Sequence, residues 1–409
     1  MKILQINNYH FPRGGSDRYF LNLTRELSYR GHHVQSFAPN DQRDTDVEFK
    51  TLCQPSGIDL TNGIPLRHSL DFFYSLTNRR AIESAIRKFR PNIAHLHIYY
   101  GQITPSIIAP LVKMGVPIVQ TLHEYKIVCP AQSLIRNGRS CDACSNQRYW
   151  NAIFGRCNRN SVLRSTLSTL EAYTSNYLGA IDSVDRFIAV SHFQKSKLLN
   201  MGLPPSKIDV LYNFADIKEP PSEHSGDHFL FVGRLEKGKG VETLLKSYLS
   251  YRATCEAKAV LPLHVVGTGS DEVNLKAVSE SLGLGDYVKW LGHKDGADLV
   301  DQYRRCRALI NPSEFHETFG LTNLEAMSHG RPVLCSNSGA FPEVVRDGID
   351  GYVLPAGAPN AFAERMSKLC PKTALKLGKN GFARANLKFS AEEHLKQLEQ
   401  IYTDLIGAE

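Results

Sequence analysis

At 409 residues the chain is too long for one ordinary hydrophobic core, so two domains are expected. Hydrophobic residues make up 42% of it and charged residues 22%, which excludes an intrinsically disordered chain. No run approaches the roughly 20 apolar residues of a membrane-spanning helix. The first residues, MKILQINNY, alternate briefly and lack the long apolar region of a signal peptide. We therefore predict a cytoplasmic chain with mostly reduced thiols.

Charge is unevenly distributed along the chain. Residues 1–215 hold 25 Lys and Arg against 15 Asp and Glu, whereas the remainder holds 23 against 26. A basic first half suggests an anionic neighbour, such as a phosphorylated acceptor, a membrane surface or nucleic acid. The alternative is that these basic residues form a surface in contact with solvent alone.

The first half alternates short apolar runs with helical patterns. KILQIN predicts a strand and DRYFLNLTRELSYRG a helix, in which Phe20, Leu23 and Leu27 share one face and Gly31 suits the C-terminal cap. Further strands are predicted at HHVQSFAP, IAHLHI, PIVQTLH and RFIAVS. This alternation is typical of a doubly wound parallel sheet, and we assign it to a Rossmann-like domain of residues 1–215.

The alternation restarts after IKEPPSEHSGDH, a stretch rich in Pro and charge that reads as a linker near residues 215–227. Strands are predicted at FLFVGRL, LPLHVVGTG, VKWLG, ALINPS, RPVLCSN and GYVLP, with helices between them. We assign residues 216–385 to a second Rossmann-like domain, and the last helix, in residues 386–409, could pack on either domain. Two α/β domains of this kind are expected to hold a ligand in a cleft at the carboxyl ends of their strands.

The segment ETFGLTNLE carries two carboxylates. Glu317 is predicted in a loop and Glu325 in the second turn of the following helix, whose first N–H groups, at Leu321 and Thr322, form an anion site. Carboxylates on both sides of an anion site suit a ligand with phosphates and hydroxyls, such as a nucleotide sugar. Taken alone, the pair is also open to an acid–base or metal-ligand interpretation, and Glu325 to that of a solvated helix residue.

Two loops between a strand and a helix add groups that bind phosphate. FVGRLEKGKG supplies Arg234 and Lys239, although basic loops are common on surfaces. In FPRGGSD, Gly14 and Gly15 let backbone N–H groups approach a phosphate or sugar, or form an ordinary turn. The chain lacks the G-x-G-x-x-G dinucleotide fingerprint at this position, which argues against a dehydrogenase.

In order, these segments resemble the retaining glycosyltransferases of family four, which have the GT-B fold. The resemblance extends from FPRGGSD through TLHEYKIVCP, VGRLEKGKG and WLGHKDGADL to PSEFHETFGLTNLEAMSHGRPVL. It implies a role for each matching residue: His123 and Glu317 at the transferred sugar, Arg234 and Lys239 at the pyrophosphate, Gly14, Gly15, Leu321 and Thr322 around the donor, Glu325 at the ribose, and His293 beside the base.

The resemblance also implies an activity. It is retaining transfer from a nucleotide-diphosphate sugar, with UDP or GDP as carrier, to a glycan or lipid-linked acceptor, without a catalytic metal and without nucleic acid as partner. Cell-surface polysaccharide or glycolipid synthesis is the expected setting. The alternatives are a nucleotide-sugar epimerase, which shares this fold, and a non-catalytic subunit that binds nucleotide sugars.

Four of the nine cysteines fall in a predicted insertion at about residues 126–160: Cys129, Cys141, Cys144 and Cys157. In a cytosolic chain, two cysteines separated by two residues and flanked by two more are typical of a structural zinc site. Reduced thiols or a disulfide are the alternatives.

A basic amphipathic segment, NRRAIESAIRKFRPN, sets five cations around Ile82, Ala85, Ile86 and Phe89. Such a helix can lie on an anionic bilayer, so peripheral attachment to the inner face of the membrane is one hypothesis. A helix whose basic side meets only solvent is the other.

Overall fold

The structure is a computed structural model, and it describes residues 1–44, 49, 71–215, 217, 220, 221, 223–256 and 260–407. The chain divides into two compact units. The first holds Met1–Tyr212 together with His394–Glu409, and the second holds Asn213–Glu393. Each unit is an α/β layer structure built around one parallel sheet.

The sheet of the first unit has six parallel strands in the order β2-β1-β3-β4-β7-β8. Its strands are β1 (Lys2–Ile6), β2 (His33–Phe37), β3 (Ile93–Leu96), β4 (Ile118–Leu122), β7 (Arg186–Ala189) and β8 (Ile208–Val210). Its helices are α1 (Gly15–Tyr29), α2 (Leu76–Phe89), α3 (Ile108–Lys113), α4 (Asn151–Phe154), α5 (Val162–Tyr177), α6 (His192–Asn200) and most of α14 (Ala391–Ile406). Every residue of β3 and β4 is buried, as expected for central strands covered on both faces.

Helix α1 ends as its sequence predicts. Gly31 takes a positive φ of 84°, and its N–H donates to Ser28, while the N–H of His32 donates to Leu27. These two bonds form a Schellman motif, which satisfies carbonyls that would otherwise lack a partner at the helix end.

The insertion between β4 and α5 has little regular structure. It contains a two-stranded hairpin of β5 (Ile135–Arg136) and β6 (Arg139–Ser140), a 3₁₀ turn at Ser145–Gln147, and the short helix α4. Its buried anchor is Tyr149, whose hydroxyl donates to the Ile127 carbonyl at 3.2 Å.

The second unit repeats the architecture with the strand order β11-β10-β9-β12-β13-β14. Its strands are β9 (His228–Val232), β10 (Leu263–Val266), β11 (Val288–Gly292), β12 (Cys306–Asn311), β13 (Val333–Ser336) and β14 (Gly351–Leu354). Its helices are α7 (Val241–Thr254), α8 (Glu272–Ser281), α9 (Gly296–Arg305), α10 (Leu321–Ser328), α11 (Phe341–Val344), α12 (Pro359–Lys368) and α13 (Pro371–Lys388). The two doubly wound parallel sheets confirm the predicted fold class.

The C-terminal helix α14 completes the first unit. His394 Nε2 lies 2.9 Å from the Tyr19 hydroxyl, and the Tyr402 hydroxyl lies 2.6 Å from His95 Nδ1. All four side chains are buried. Helix α14 is therefore joined by buried hydrogen bonds to the unit whose first strand, β1, starts at Lys2.

The apolar face of α2 is not available to a membrane. Ile82, Ala85 and Ile86 are at most 4% exposed and lie in the hydrophobic core, against which Phe89 also packs. The same residues are already covered by the protein, so this face does not insert into a bilayer, and peripheral attachment through the cations of the first unit stays a prediction. Of the cations of this segment, Arg80, Arg87, Lys88 and Arg90 are exposed, whereas Arg79 is half-buried and donates to the Tyr74 hydroxyl.

None of the helices in the described part of the chain has the length and hydropathy of a membrane-spanning segment.

Candidate functional site

The loops that follow β9 and β12 lie side by side in the second unit. In the order β11-β10-β9-β12-β13-β14, strands are added toward one edge of the sheet from β9 to β11 and toward the other edge from β12 onward. The boundary between β9 and β12 is a topological switch point, where ligands of doubly wound sheets bind. Two glycines allow the loops to interlock: a Cβ on Gly240 would lie 2.0 Å from the Pro312 carbonyl oxygen, and one on Gly238 would meet the Phe315 ring. The N–H of Glu314 donates to the Gly238 carbonyl at 2.7 Å.

A lysine and a glutamate meet at this switch point. Lys239 Nζ donates to Glu317 Oε1 at 2.7 Å, and the Ser313 hydroxyl donates to the same oxygen at 2.6 Å. The two charged side chains are 20% and 16% exposed. Burial raises the pKa of Glu317, but Lys239, the Ser313 hydroxyl and Arg234 together outweigh it, and the pKa lies below its ordinary value. Glu317 is therefore an ionised hydrogen-bond acceptor and not a proton donor at neutral pH.

The backbone of Glu317 is fixed from the other side by the loop after β13. The N–H of Ala340 donates to the Glu317 carbonyl at 2.9 Å, and a Cβ on Gly339 would lie 2.2 Å from that oxygen. Gly339 also has a φ of 62°. Ser313, Gly339 and Ala340 therefore hold the glutamate in place, although sequence patterns did not single them out.

Helix α10 begins immediately after the loop that follows β12 and carries Glu317. Its N-terminal cap is Gly320, with a φ of 99° and no side-chain capping bond. Asn311, at the end of β12, donates to Thr322 Oγ1 at 3.2 Å and to Asn323 Oδ1 at 2.8 Å, which ties the first turn to the sheet. The first N–H groups of α10, at Leu321 and Thr322, thus start at the loop that carries Glu317, and the positive end of the helix dipole favours an anion there.

Glu325 is half-buried and not a solvated helix residue. The hydroxyl of Tyr303, a buried residue of α9, donates to its Oε2 at 2.6 Å. Tyr303 also stacks on His329, with ring centroids 5.7 Å apart. Tyr303 thus orients a carboxylate that lies one helical turn beyond the anion site.

The two remaining residues assigned to the second unit are more exposed. Arg234 is 70% exposed and pairs with Glu236 at 3.0 Å, within electrostatic reach of Glu317. His293 follows β11, the edge strand, and lies 3.8 Å from Asp295, with β10 between its strand and the switch point. The structure therefore groups Lys239, Glu317 and Arg234 and sets His293 apart from them.

In the first unit, His123 ends a line of stacked imidazoles. His97 Nδ1 lies 3.1 Å from His123 Nε2, and His97 Nε2 lies 2.6 Å from Gln5 Oε1. The ring centroids of His97 and His123 are 5.4 Å apart. Burial lowers the pKa of His123 to about 3, so its ring is neutral at every physiological pH. It can form hydrogen bonds, but it carries no proton to donate as a cation.

These contacts determine the tautomer of His123. Because Gln5 Oε1 only accepts, His97 carries its proton on Nε2 and accepts at Nδ1, and His123 must then carry its proton on Nε2. We expect long-range ¹H–¹⁵N spectra to show the Nε2–H form of His123 in the wild-type protein. His97→Phe removes the acceptor and should abolish this bias, whereas His97→Asn, whose Oδ1 can accept, should retain much of it. A wild-type His123 protonated on Nδ1 would contradict this assignment.

In the glycine-rich turn before α1, the backbone N–H of Gly14 is paired with the carboxylate of Asp17. Gly14 is the N-terminal cap in an extended conformation, and Gly15 opens the helix. Asp17 is 4% exposed and accepts from Asn7 Nδ2 at 3.0 Å. Burial raises its pKa to about 6, against the opposing effects of Asn7, Arg13 and the Gly14 backbone N–H. The N–H of Gly14 thus faces a carboxylate of its own helix, as in a capping box.

Asp17 should make stability fall as pH rises. Its pKa is raised on folding, so its favourable protonated form is fully present below about pH 4 and is lost as pH rises through about 6. A rise from 3.8 to about 6 corresponds to about 3 kcal/mol. We expect the free energy of unfolding of Asp17→Asn to fall by about 2 kcal/mol less than that of the wild type between pH 4 and 6.5. Urea titration at each pH measures this difference. An unchanged pH profile would contradict the raised pKa.

The four insertion cysteines come together around one cavity. Cys129, Cys141, Cys144 and Cys157 line it, and all four are free thiols. Among the residues that the structure describes, no group of three or more His, Cys, Asp or Glu side chains is arranged to hold a metal ion.

Comparison with protein families covers both units. The family described as Glycosyltransferase Family 4 matches residues 13–219, and Glycosyl transferases group 1 matches residues 214–384. The D-inositol 3-phosphate glycosyltransferase of Thermobifida fusca is 24% identical over 401 residues, which is 91% of this chain and 85% of that protein.

Other relatives match over shorter spans. The lipopolysaccharide 1,6-galactosyltransferase of Salmonella typhimurium is 32% identical over 198 residues, covering 46% of this chain and 53% of that protein. The alignment with the D-inositol 3-phosphate glycosyltransferase of Corynebacterium kroppenstedtii, at 25% identity, covers 55% of this chain. It spans 54% of that relative, so the chain matches about half the length of several curated relatives.

Solved structures resemble the fold over its whole length. The sucrose-phosphate synthase of Thermosynechococcus elongatus has a TM-score of 0.73 at 20% identity, with 100% of both chains covered. The Anabaena protein Alr3699/HepE, solved in complex with UDP and glucose, has a TM-score of 0.69 at 18% identity and covers 99% of this chain and 100% of its own. The chain belongs to the glycosyltransferases, with a family 4 domain followed by a group 1 domain, and has the GT-B fold.

Proposed function

We propose that the protein transfers a sugar from a nucleotide-diphosphate sugar to a hydroxyl of a glycan or lipid-linked acceptor, with retention of the anomeric configuration. The observation that carries the proposal is the Lys239–Glu317 pair at the switch point of the second sheet, beside the first turn of α10. It sets a cation, an ionised acceptor and helix N–H groups in adjoining loops. A ligand with both phosphates and hydroxyls uses all three.

In this proposal, the phosphates of the donor bind Lys239, Arg234 and the first N–H groups of α10. An ammonium has three donors, and the bond to Glu317 uses one of them, so Lys239 can bind phosphate without releasing Glu317. The same groups stabilise the charge that develops on the leaving diphosphate, a preorganised effect of several kcal/mol. Such stabilisation replaces the role of a metal ion in the departure of the diphosphate.

Glu317 and His123 act on the sugar through hydrogen bonds. The depressed pKa keeps Glu317 ionised, which suits it to accept from sugar hydroxyls and to stabilise an oxocarbenium-like transition state. The neutral ring of His123, in the first unit, is proposed to act on substrate as a hydrogen-bonding group that carries no charge. The acceptor hydroxyl attacks the face from which the diphosphate leaves, and the leaving phosphate takes its proton. Glu325, held by Tyr303, accepts from the ribose hydroxyls.

A donor screen followed by a transfer assay tests the proposal. A ligand that binds only the folded state raises the unfolding temperature, so UDP, GDP, ADP and dTDP sugars are first compared by thermal shift. The selected donor is then incubated with and without candidate acceptors, and the released nucleoside diphosphate is measured. The anomeric configuration of the product is read from ¹H NMR couplings.

The outcomes separate the three candidate functions. A transferase releases nucleoside diphosphate in proportion to acceptor and forms a product with the configuration of the donor. Conversion of the nucleotide sugar to its epimer without acceptor would indicate an epimerase instead. Donor binding without turnover of any kind would indicate a binding subunit.

A further inference from the structure

The insertion cysteines stand close together in a wall that is otherwise apolar. Cys129, the Cys141–Cys144 pair and Cys157 come from three places in the insertion and line one cavity of about 280 Å³, including its part open to solvent. The pKa of Cys144 is raised by burial and then by the other three cysteines, which places each of them within electrostatic reach of its sulfur. Four thiols gathered in this way are a soft, sulfur-only ligand set, which favours zinc over magnesium or calcium.

The backbone around these cysteines is bent into tight turns. Of the ten described non-glycine residues with a positive φ, eight lie between residues 132 and 160: Gln132, Leu134, Asn137, Asn146, Gln147, Arg156, Arg159 and Asn160. Each such residue costs of order 1 kcal/mol and persists only where its surroundings hold it. Most backbone hydrogen bonds of this segment join residues three to five positions apart, so they hold each turn by itself. A metal ion bound by cysteines from different turns would hold the turns to one another.

Backbone N–H groups face two of the sulfurs. Burial raises the pKa of Cys129, and the N–H groups of Leu134, Ala131 and Ser133 act in the opposite direction. The N–H of Ala152 acts in the same way on Cys144. Hydrogen bonds to sulfur stabilise thiolates and orient them as metal ligands.

We propose that Cys129, Cys141, Cys144 and Cys157 bind one Zn²⁺ and thereby tie the turns of the insertion together. The sulfurs lie along the cavity wall and no group of three or more described side chains is arranged to hold a metal, so binding requires cysteine side chains to turn about χ1 toward one point. Cys141 and Cys144, which are separated by two residues, form the knuckle of the site. Each thiol that binds releases its proton.

The site would also hold the segment that follows His123. The N–H of Cys129 donates to the Tyr125 carbonyl at 2.8 Å, and the N–H of Gln132 donates to the Cys129 carbonyl at 2.8 Å. Residues 125–132 thus form one compact turn that starts two residues after His123. Zinc at Cys129 fixes this turn, so removing the metal should increase amide exchange there before the sheet is affected.

Metal analysis of the full chain tests the proposal directly. Protein produced with zinc in the medium and purified with a reductant and no chelator should contain about one zinc per chain. Cys141→Ser and Cys144→Ser should each fall below about 0.2 equivalents. Cys370→Ser is the matched control, because Cys370 is an exposed thiol in the other unit, and it should retain the metal.

Two further measurements on the wild-type protein keep the test decisive if the variants fold poorly. Co²⁺ added alone to demetallated protein should give the d–d and sulfur-to-metal absorption of a tetrahedral thiolate site. Thiol titration in denaturant should find all nine cysteines reduced. Less than about 0.2 zinc per chain with no uptake of Zn²⁺ or Co²⁺ would overturn the proposal, as would a loss of two or four thiols to disulfides within the insertion. Neither result bears on glycosyl transfer, which is assayed separately.

Discussion

Lys239→Met is expected to lower kcat/KM for glycosyl transfer by about 10² to 10³-fold, the usual effect of removing one preorganised charge-stabilising group. Lys239 would be lost both from the leaving diphosphate and from Glu317, to which it donates at 2.7 Å. A carboxylate that is 16% exposed would then keep the Ser313 hydroxyl but lose its cation. We therefore also expect the free energy of unfolding to fall by about 2 kcal/mol, measured by chemical denaturation.

Matched variants separate the two effects of Lys239. Lys237 lies two residues earlier in the same loop and is exposed, so Lys237→Met should retain most of the activity. The double variant Lys239→Met, Glu317→Gln removes the unpaired charge and should recover stability without recovering transfer. If Lys239→Met keeps activity within about threefold of wild type while the protein remains folded, the lysine does not act on the leaving group.

The two glutamates are expected to fail in different ways. Glu325→Gln should weaken binding of the nucleoside diphosphate selected in the donor screen by about 10 to 100-fold, since a hydrogen bond to a charged group contributes about 1.5–3 kcal/mol. Glu317→Gln should leave that binding within about threefold and lower kcat for transfer by at least about 100-fold. Isothermal titration with the nucleoside diphosphate and steady-state kinetics with the full donor measure the two effects.

Tyr303 provides an intermediate case. Tyr303→Phe keeps the ring but removes the hydroxyl that donates to Glu325 Oε2, so binding should weaken by less than in Glu325→Gln. Glu280→Gln, at an exposed position near the end of α8, is the control and should bind as wild type does. Equal loss of nucleoside diphosphate binding in Glu317→Gln and Glu325→Gln would refute the division between sugar and ribose.

Sequence periodicity was sufficient for the fold because most of the relevant signals are local. The apolar runs of KILQIN and IAHLHI are strands β1 and β3, and Gly31 stands just after the end of α1. Two residues of the site were missing from the predicted set. Ser313 donates to Glu317, which is four positions away, whereas Tyr303 donates to Glu325, which is 22 positions away. Nothing in the sequence around Tyr303 distinguishes a core tyrosine from one that donates to a site carboxylate.

The same limit applies to the apolar face of α2. An amphipathic pattern states that one face needs an apolar neighbour, but it does not state whether that neighbour is lipid or protein. Ile82 and Ile86 are covered by the core of their own unit. In the opposite direction, Gln5, His95 and His97 are polar residues in otherwise apolar strand sequences, and this unusual composition was a signal for the buried imidazole cluster that reaches His123.

The placement of α14 in the first unit has a consequence for the order of events during synthesis. The second unit, residues 213–393, is contiguous and can fold as soon as it leaves the ribosome. The first unit is completed later, because Tyr19 and His95 find their partners His394 and Tyr402 only when α14 has been made. The part of the protein that is translated first is therefore completed only after the second unit has been made, and until then its buried histidines lack the partners that α14 supplies.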